Sequence, residues 1–182
     1  MFDLDRFIAD CQAAVVADSS HRAVREVVAR AVADPSAVLT GLGEPTHAGI
    51  DGLHRSDNLV ILNVVWGPRM TVIPHDHRMW AVIGLYGGQE DNAFFRRVPG
   101  GLEPSGGREV PAKEVLVLGD DAIHSVANTR RDFAVALHVY GGDFFAVDRS
   151  EWDAETYEER PRDLGRTMRL FEEANARWRA QA

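Results

Sequence analysis

Between residues 53 and 148 the chain alternates short β-branched or aromatic runs with turn-forming residues. The runs are NLVILNVVW, MTVIPHDH, MWAVIGLYG, NAFFRRV, KEVLVLG, HSVANT and FAVALHVYG. Gly-Gly pairs at 87–88, 100–101, 106–107 and 141–142, helped by Asp-Asn and Pro-Gly, punctuate them. Runs of this length suit strands rather than amphipathic helices, and glycine pairs are strong chain-turning signals. Many short strands at even spacing specify an all-β sandwich or barrel.

The flanks read differently. DLDRFIADCQAAVVA, residues 3–17, carries apolar positions at helical spacing, with Asp3 placed to cap it. SSHRAVREVVARAVADP repeats the pattern, with Ser20 as cap, a stripe of Ala23, Val24, Val27, Val28 and Ala31, and Pro35 beyond its end. A short helical turn is expected at 35–40, and GLGEPTHAGIDG reads as loop. RPRDLGRTMRLFEEANARWRAQA reads as a helix with Leu164, Met168, Phe171 and Trp178 facing inward. The expected organisation is one unit over 1–182: N-terminal helices within 1–45, a β-barrel over 53–148 and a C-terminal helix over 161–180.

Charge narrows the partners. With 28 carboxylates against 20 Lys and Arg, a nucleic-acid groove or an anionic membrane surface is not expected. No apolar stretch approaches the roughly 20 residues that span a bilayer, and the opening MFDLDRFIAD is too acidic for a secretory leader. The single cysteine, Cys11, excludes an intrachain disulfide, so a reducing cytoplasm is the expected compartment. Cys11 falls in a helix and reads as packing.

Two histidines one residue apart, His75 and His77, share a face if their segment is a strand. A third, His124, follows a GDD turn and opens a later strand, with Asn128 four residues on. Three neutral imidazoles can hold one face of a divalent metal and leave positions open for other ligands.

The spacings G-x7-H-x-H (Gly67, His75, His77) and G-x4-H-x3-N (Gly119, His124, Asn128) resemble the two metal motifs of the cupin superfamily. The resemblance implies a double-stranded β-helix, or jelly-roll barrel, with His75, His77 and His124 as metal ligands. Many cupins add a glutamate four or five residues after the second histidine. Ala81 and Val82 stand there, and Glu90, beyond the Gly87-Gly88 turn, is not expected to replace it. Within the superfamily the chain looks like the thiol dioxygenases, of the cysteine or 3-mercaptopropionate type, through the run from Trp66 to His77, WAVIGLYGG (Trp80 to Gly88) and LHVY (Leu137 to Tyr140).

That likeness implies iron(II), a small thiol substrate and dioxygen, and addition of both oxygen atoms to sulfur. It implies a Ser-x-His-x-Tyr relay, of which His138 and Tyr140 are present and Ala136 replaces the serine, so the relay is expected to be truncated. It also implies Arg55 as the clamp for a substrate carboxylate, a task that suits a planar guanidinium. The thioether crosslink of the animal enzymes is not expected, because Ala81 stands near the matching position. Arg78 alternates with the ligands and is expected to point away from the metal; Trp66 and Trp80 are expected in the core. Three histidines also suit zinc, and nickel is a further option, so a hydrolase, lyase or isomerase remains open. So do a ligand-binding module without catalysis and a homodimer paired through edge strands.

Overall fold

The computed structural model describes residues 2–180; Met1, Gln181 and Ala182 of the expected 1–182 unit lie outside the described residues. Three helices open the chain, α1 (Leu4–Ala17), α2 (His21–Val32) and α3 (Pro35–Leu42). Each begins at a side-chain cap: Asp3, Ser20 and Asp34 accept from backbone N–H groups of the first turn. Pro35 serves α3 as a first-turn residue, where its missing N–H costs nothing.

The strands follow as β1 (Gly49–Arg55), β2 (Val60–Trp66), β3 (Thr71–Asp76), β4 (Ala81–Gly87), β5 (Gln89–Val98), β6 (Gly101–Pro111), β7 (Val115–Leu118), β8 (Ile123–Ala127), β9 (Ala134–Tyr140), β10 (Ser150–Trp152) and β11 (Glu159–Pro161). Helix α4 (Leu164–Arg179) closes the chain. Two antiparallel sheets form, in the orders β1-β2-β9-β4-β7 and β11-β10-β3-β8-β5-β6. Successive strands from β2 to β5 and from β7 to β10 alternate between the sheets. That winding, β2-β9-β4-β7 facing β3-β8-β5-β6, is the double-stranded β-helix of a jelly roll.

The sheets overrun the expected barrel bounds of 53–148 at both ends. Strand β1 takes part of the segment read as loop, because Gly49 to Arg55 pair along the open edge of β2. The Gly106-Gly107 pair, read as a turn, lies inside β6, where a register shift opposite Phe94 and Phe95 absorbs it.

Two apolar cores explain why some strands alternate and others do not. Strand β2 is buried at all seven positions. Val60, Leu62, Val64 and Trp66 face the space between the sheets, while Ile61 and Val65 face the N-terminal helices. Helix α2 presses Val24, Val27, Val28 and Val32 onto the outer face of the five-stranded sheet. Gly84 of β4 makes this possible: a Cβ there would lie 2.3 Å from Val28 Cγ1.

In α4 the buried stripe is Thr167, Phe171 and Ala174. Leu164 and Met168, expected inward, are 37% and 44% exposed; they stand at the rim of a cavity rather than in a core. Phe171 stacks on Trp66 with ring centroids 5.5 Å apart and an interplanar angle of 19°.

Candidate metal centre

The antiparallel pairing of β3 with β8 places His75 directly opposite His124. Opposed residues on one face bring their side chains within contact range. His77 lies two residues on, past the end of β3, and returns to the same side. The three ring centroids are 5.1 Å (His75–His77), 4.6 Å (His75–His124) and 5.1 Å (His77–His124) apart. One ligand nitrogen from each lies within 4.8 Å of the others. All three side chains are buried.

Their second nitrogens are partly committed. His75 Nδ1 meets Ile73 O at 2.9 Å, and His124 Nδ1 meets Asn92 Oδ1 at 2.8 Å. A carbonyl oxygen can only accept, so each imidazole donates through Nδ1 and keeps a bare lone pair on Nε2. His124 Nε2 is buried without a partner, as is His77 Nδ1. Burial pushes the His75 and His77 pKa far below the ordinary imidazole value, with Arg162 first among the charges adding to it for His75 and His124 first for His77. For His124 burial, then His138 and Arg162, bring it down to about 3. The group is therefore neutral at physiological pH and offers lone pairs rather than protons. A buried cluster of neutral imidazoles with unpartnered nitrogens fits a divalent metal.

Asp76, between His75 and His77, points the other way. It accepts from Ser150 N at 2.8 Å and pairs with Arg78 at 2.6 Å and Arg97 at 3.4 Å. Arg78, as expected, faces away from the cluster.

The histidines form part of the wall of a cavity of about 250 Å³. Leu62, Val64, Val72, Val126 and Phe144 give it apolar sides, and Thr167 and Met168 of α4 close one end. His138 and Tyr140, on one face of β9, also border it, and His138 Nδ1 lies 3.0 Å from the Tyr140 hydroxyl. Burial raises the Tyr140 phenol well above its usual range.

Of three charged residues at this cavity, Arg149 and Arg162 were not read from the sequence, and Glu90 was weighed only as a metal ligand. Glu90 of β5 is fully buried; its Oε1 accepts from Trp66 Nε1 at 2.5 Å and lies 3.4 Å from His138 Nε2. The relay expected to stop at Ala136 therefore continues to a carboxylate from another strand. Arg149 is 7% exposed, its guanidinium lies 3.8 Å from the Phe144 ring centroid, and its Nε has no partner. The Arg162 side chain is buried and bonds Glu151 at 3.3 Å. Burial lowers the pKa of both guanidiniums, that of Arg162 to about 10. Glu151, opposite His75 on β10, also holds Arg160 and Arg166, at 2.9 and 3.1 Å. Arg160 and Arg166 also meet Asp153 and Asp163, at 3.8 and 3.9 Å, so the charges that border the cavity here are those of Arg149 and Arg162. A signal for Glu90 exists in QEDN: Glu90 and Asn92 alternate inward on one strand, an unusual polar pair for an inner face.

Arg55 is elsewhere. Its side chain is 57% exposed, it pairs with Asp143 at 2.8 Å, and it does not border the cavity. Ile50 and Gly52 of β1 border the cavity, while Arg55, at the far end of that strand opposite Val60, lies beyond it. Trp66 and Trp80 are buried, Trp66 between cavity and α4 and Trp80 under the N-terminal helices, where it donates to Ser19 O at 3.1 Å. Cys11 is fully buried in the helix–sheet core, and burial pushes its thiol up to about 12. Among the described residues, no helix is long and apolar enough to cross a membrane.

No family model matches the chain. Solved structures resemble it in fold at low identity. One is a cupin-family protein with a double-stranded β-helix fold from Methanocaldococcus jannaschii (9% identity, TM-score 0.48, 57% of this chain and 87% of that one). Others are a DMSP lyase from Ruegeria pomeroyi (15% identity, TM-score 0.48, 60% and 53%) and an oxalate oxidase in complex with glycolate (17%, TM-score 0.44, 55% and 53%). The match spans about half the length of the last two. The strand order of the two sheets itself makes this chain a double-stranded β-helix carrying a buried three-histidine group that can hold a metal.

Proposed function

We propose that this chain is a non-haem iron(II) dioxygenase that converts a small thiol carboxylate, of the cysteine or 3-mercaptopropionate type, to its sulfinate. The observation that carries the reading is the meeting of three neutral imidazoles with two buried guanidiniums at one enclosed cavity. Iron(II) on the three histidines supplies the chemistry by which both atoms of dioxygen are added to a thiol sulfur. Because His75, His77 and His124 carry no charge of their own, they leave a bound cation uncompensated and favour an anionic sulfur beside it. Arg149, with no acidic partner of its own, and Arg162 hold the carboxylate and fix the approach of the ligand. The apolar walls of Leu62, Val64, Val72 and Val126 exclude water and strengthen those charge contacts. Tyr140 and His138 border the reacting end of the cavity.

The test is anaerobic loading with iron(II), addition of 3-mercaptopropionate, cysteine or cysteamine, and measurement of oxygen uptake and sulfinate. Uptake with the two carboxylates and stoichiometric sulfinate is expected. No uptake with any thiol removes the reading, and zinc as the metal of the freshly purified protein turns it toward hydrolysis or elimination.

A further inference from the structure

We propose that Glu90 is a positioning residue that fixes the proton on His138, and so turns the oxygen lone pairs of Tyr140, rather than its proton, toward the cavity. Glu90 projects from the inner face of β5, fully buried, with Oε1 taking the Trp66 indole proton at 2.5 Å. An indole nitrogen only donates, so this oxygen is an acceptor. The same oxygen faces His138 Nε2 at 3.4 Å. Between an accepting oxygen and a ring nitrogen the proton belongs to the nitrogen. A neutral imidazole has one N–H, so Nδ1 is left bare. The Tyr140 hydroxyl, 3.0 Å from that Nδ1, then donates to it. The direction of the whole chain is set: Tyr140 to His138, His138 to Glu90, and Trp66 to Glu90 from the other side.

A phenol has a single proton, and here it is committed away from the ligand. The cavity therefore has two chemically opposite walls: an acceptor wall at Tyr140 and a donor wall at Arg149 and Arg162. A ligand with a donor group at one end and an anion at the other is sorted between them. The hydrogen-bond direction rests on Glu90 Oε1 accepting from both the Trp66 indole and the His138 ring; its use in selecting a thiol rests on the function proposed above.

The test is nitrogen-15 NMR of the metal-free protein near pH 8, above the ordinary imidazole pKa, with the His138 ring signals assigned by their loss in His138→Gln. The wild type is expected to show His138 protonated on Nε2. Glu90→Leu, folded by circular dichroism, is expected to lose that preference and give the Nδ1–H form or a mixture. An Nδ1–H ring in the wild type, or an unchanged Nε2–H ring in folded Glu90→Leu, overturns the proposal. Should Glu90→Leu not fold, the wild-type spectrum decides alone. Neither metal nor thiol is in the tube, so the result stands or falls apart from the dioxygenase assay.

Discussion

Asn92 Oδ1 accepts the Nδ1 proton of His124 at 2.8 Å, from the strand that lies beside His124 in the six-stranded sheet. That contact holds the ring so that Nε2 faces His75 and His77. Asn92→Ala is expected to weaken metal binding by about 10- to 100-fold, while leaving the fold intact. Competition titration against a chromogenic chelator measures it; unchanged affinity shows that the ring is held by packing alone.

Arg149 and Arg55 make opposite predictions. Removing the buried Arg149 guanidinium deletes charge-assisted hydrogen bonds of about 1.5–3 kcal/mol. Arg149→Met is therefore expected to raise KM for 3-mercaptopropionate by roughly 10- to 100-fold, with little change for cysteamine, which has no carboxylate. Arg55→Ala, which breaks an exposed pair with Asp143, is expected to leave both KM values within about twofold. A rise with Arg55→Ala alone restores the clamp to the sheet edge.

The three histidines make stability pH-dependent in a known direction. Their pKa values are lowered in the folded protein, that of His124 to about 3. Protons therefore prefer the unfolded chain, whose imidazoles titrate near about 6.5. The stabilisation is present above that pH and is lost as pH falls below it. Three coupled groups give a slope of up to about 4 kcal/mol per pH unit. Urea unfolding of chelator-treated protein between about pH 7.5 and 5 checks this, and a flat profile contradicts it. In His77→Phe the slope is expected to be shallower.

Gly84 is the point where α2 touches the sheet. Adding a Cβ there places it 2.3 Å from Val28 Cγ1 and 2.9 Å from Val32 Cγ1. Gly84→Ala is expected to cost about 1–3 kcal/mol, and Val28→Ala in the same chain to return part of it. Chemical unfolding of the two single variants and the double variant measures the coupling; strictly additive losses contradict the contact.

The strands and the histidines were legible in the sequence because both obey a local period of two. His75 and His77 share a face by alternation, and His124 opens the strand that pairs with theirs. The charged partners were not legible because sheet winding brings them in from far along the chain. Glu90 sits across a turn from the histidine motif, yet reaches His138 through the approach of β5 to β9. Arg149 lies just past the expected barrel, and Arg162 falls in the stretch read as the C-terminal helix, which begins instead at Leu164. Arg55 ends β1 opposite Val60 and turns to Asp143, although Ile50 and Gly52 of the same strand border the cavity. Leu164 and Met168 fit a helical stripe, and α4 instead turns Thr167, Phe171 and Ala174 inward because Phe171 packs flat on Trp66.

The packing of α4 over the cavity has a temporal consequence. His75, His77 and His124 are synthesised well before Thr167 and Phe171. A nascent chain therefore carries its three imidazoles before the α4 residues that border the cavity exist to cover them.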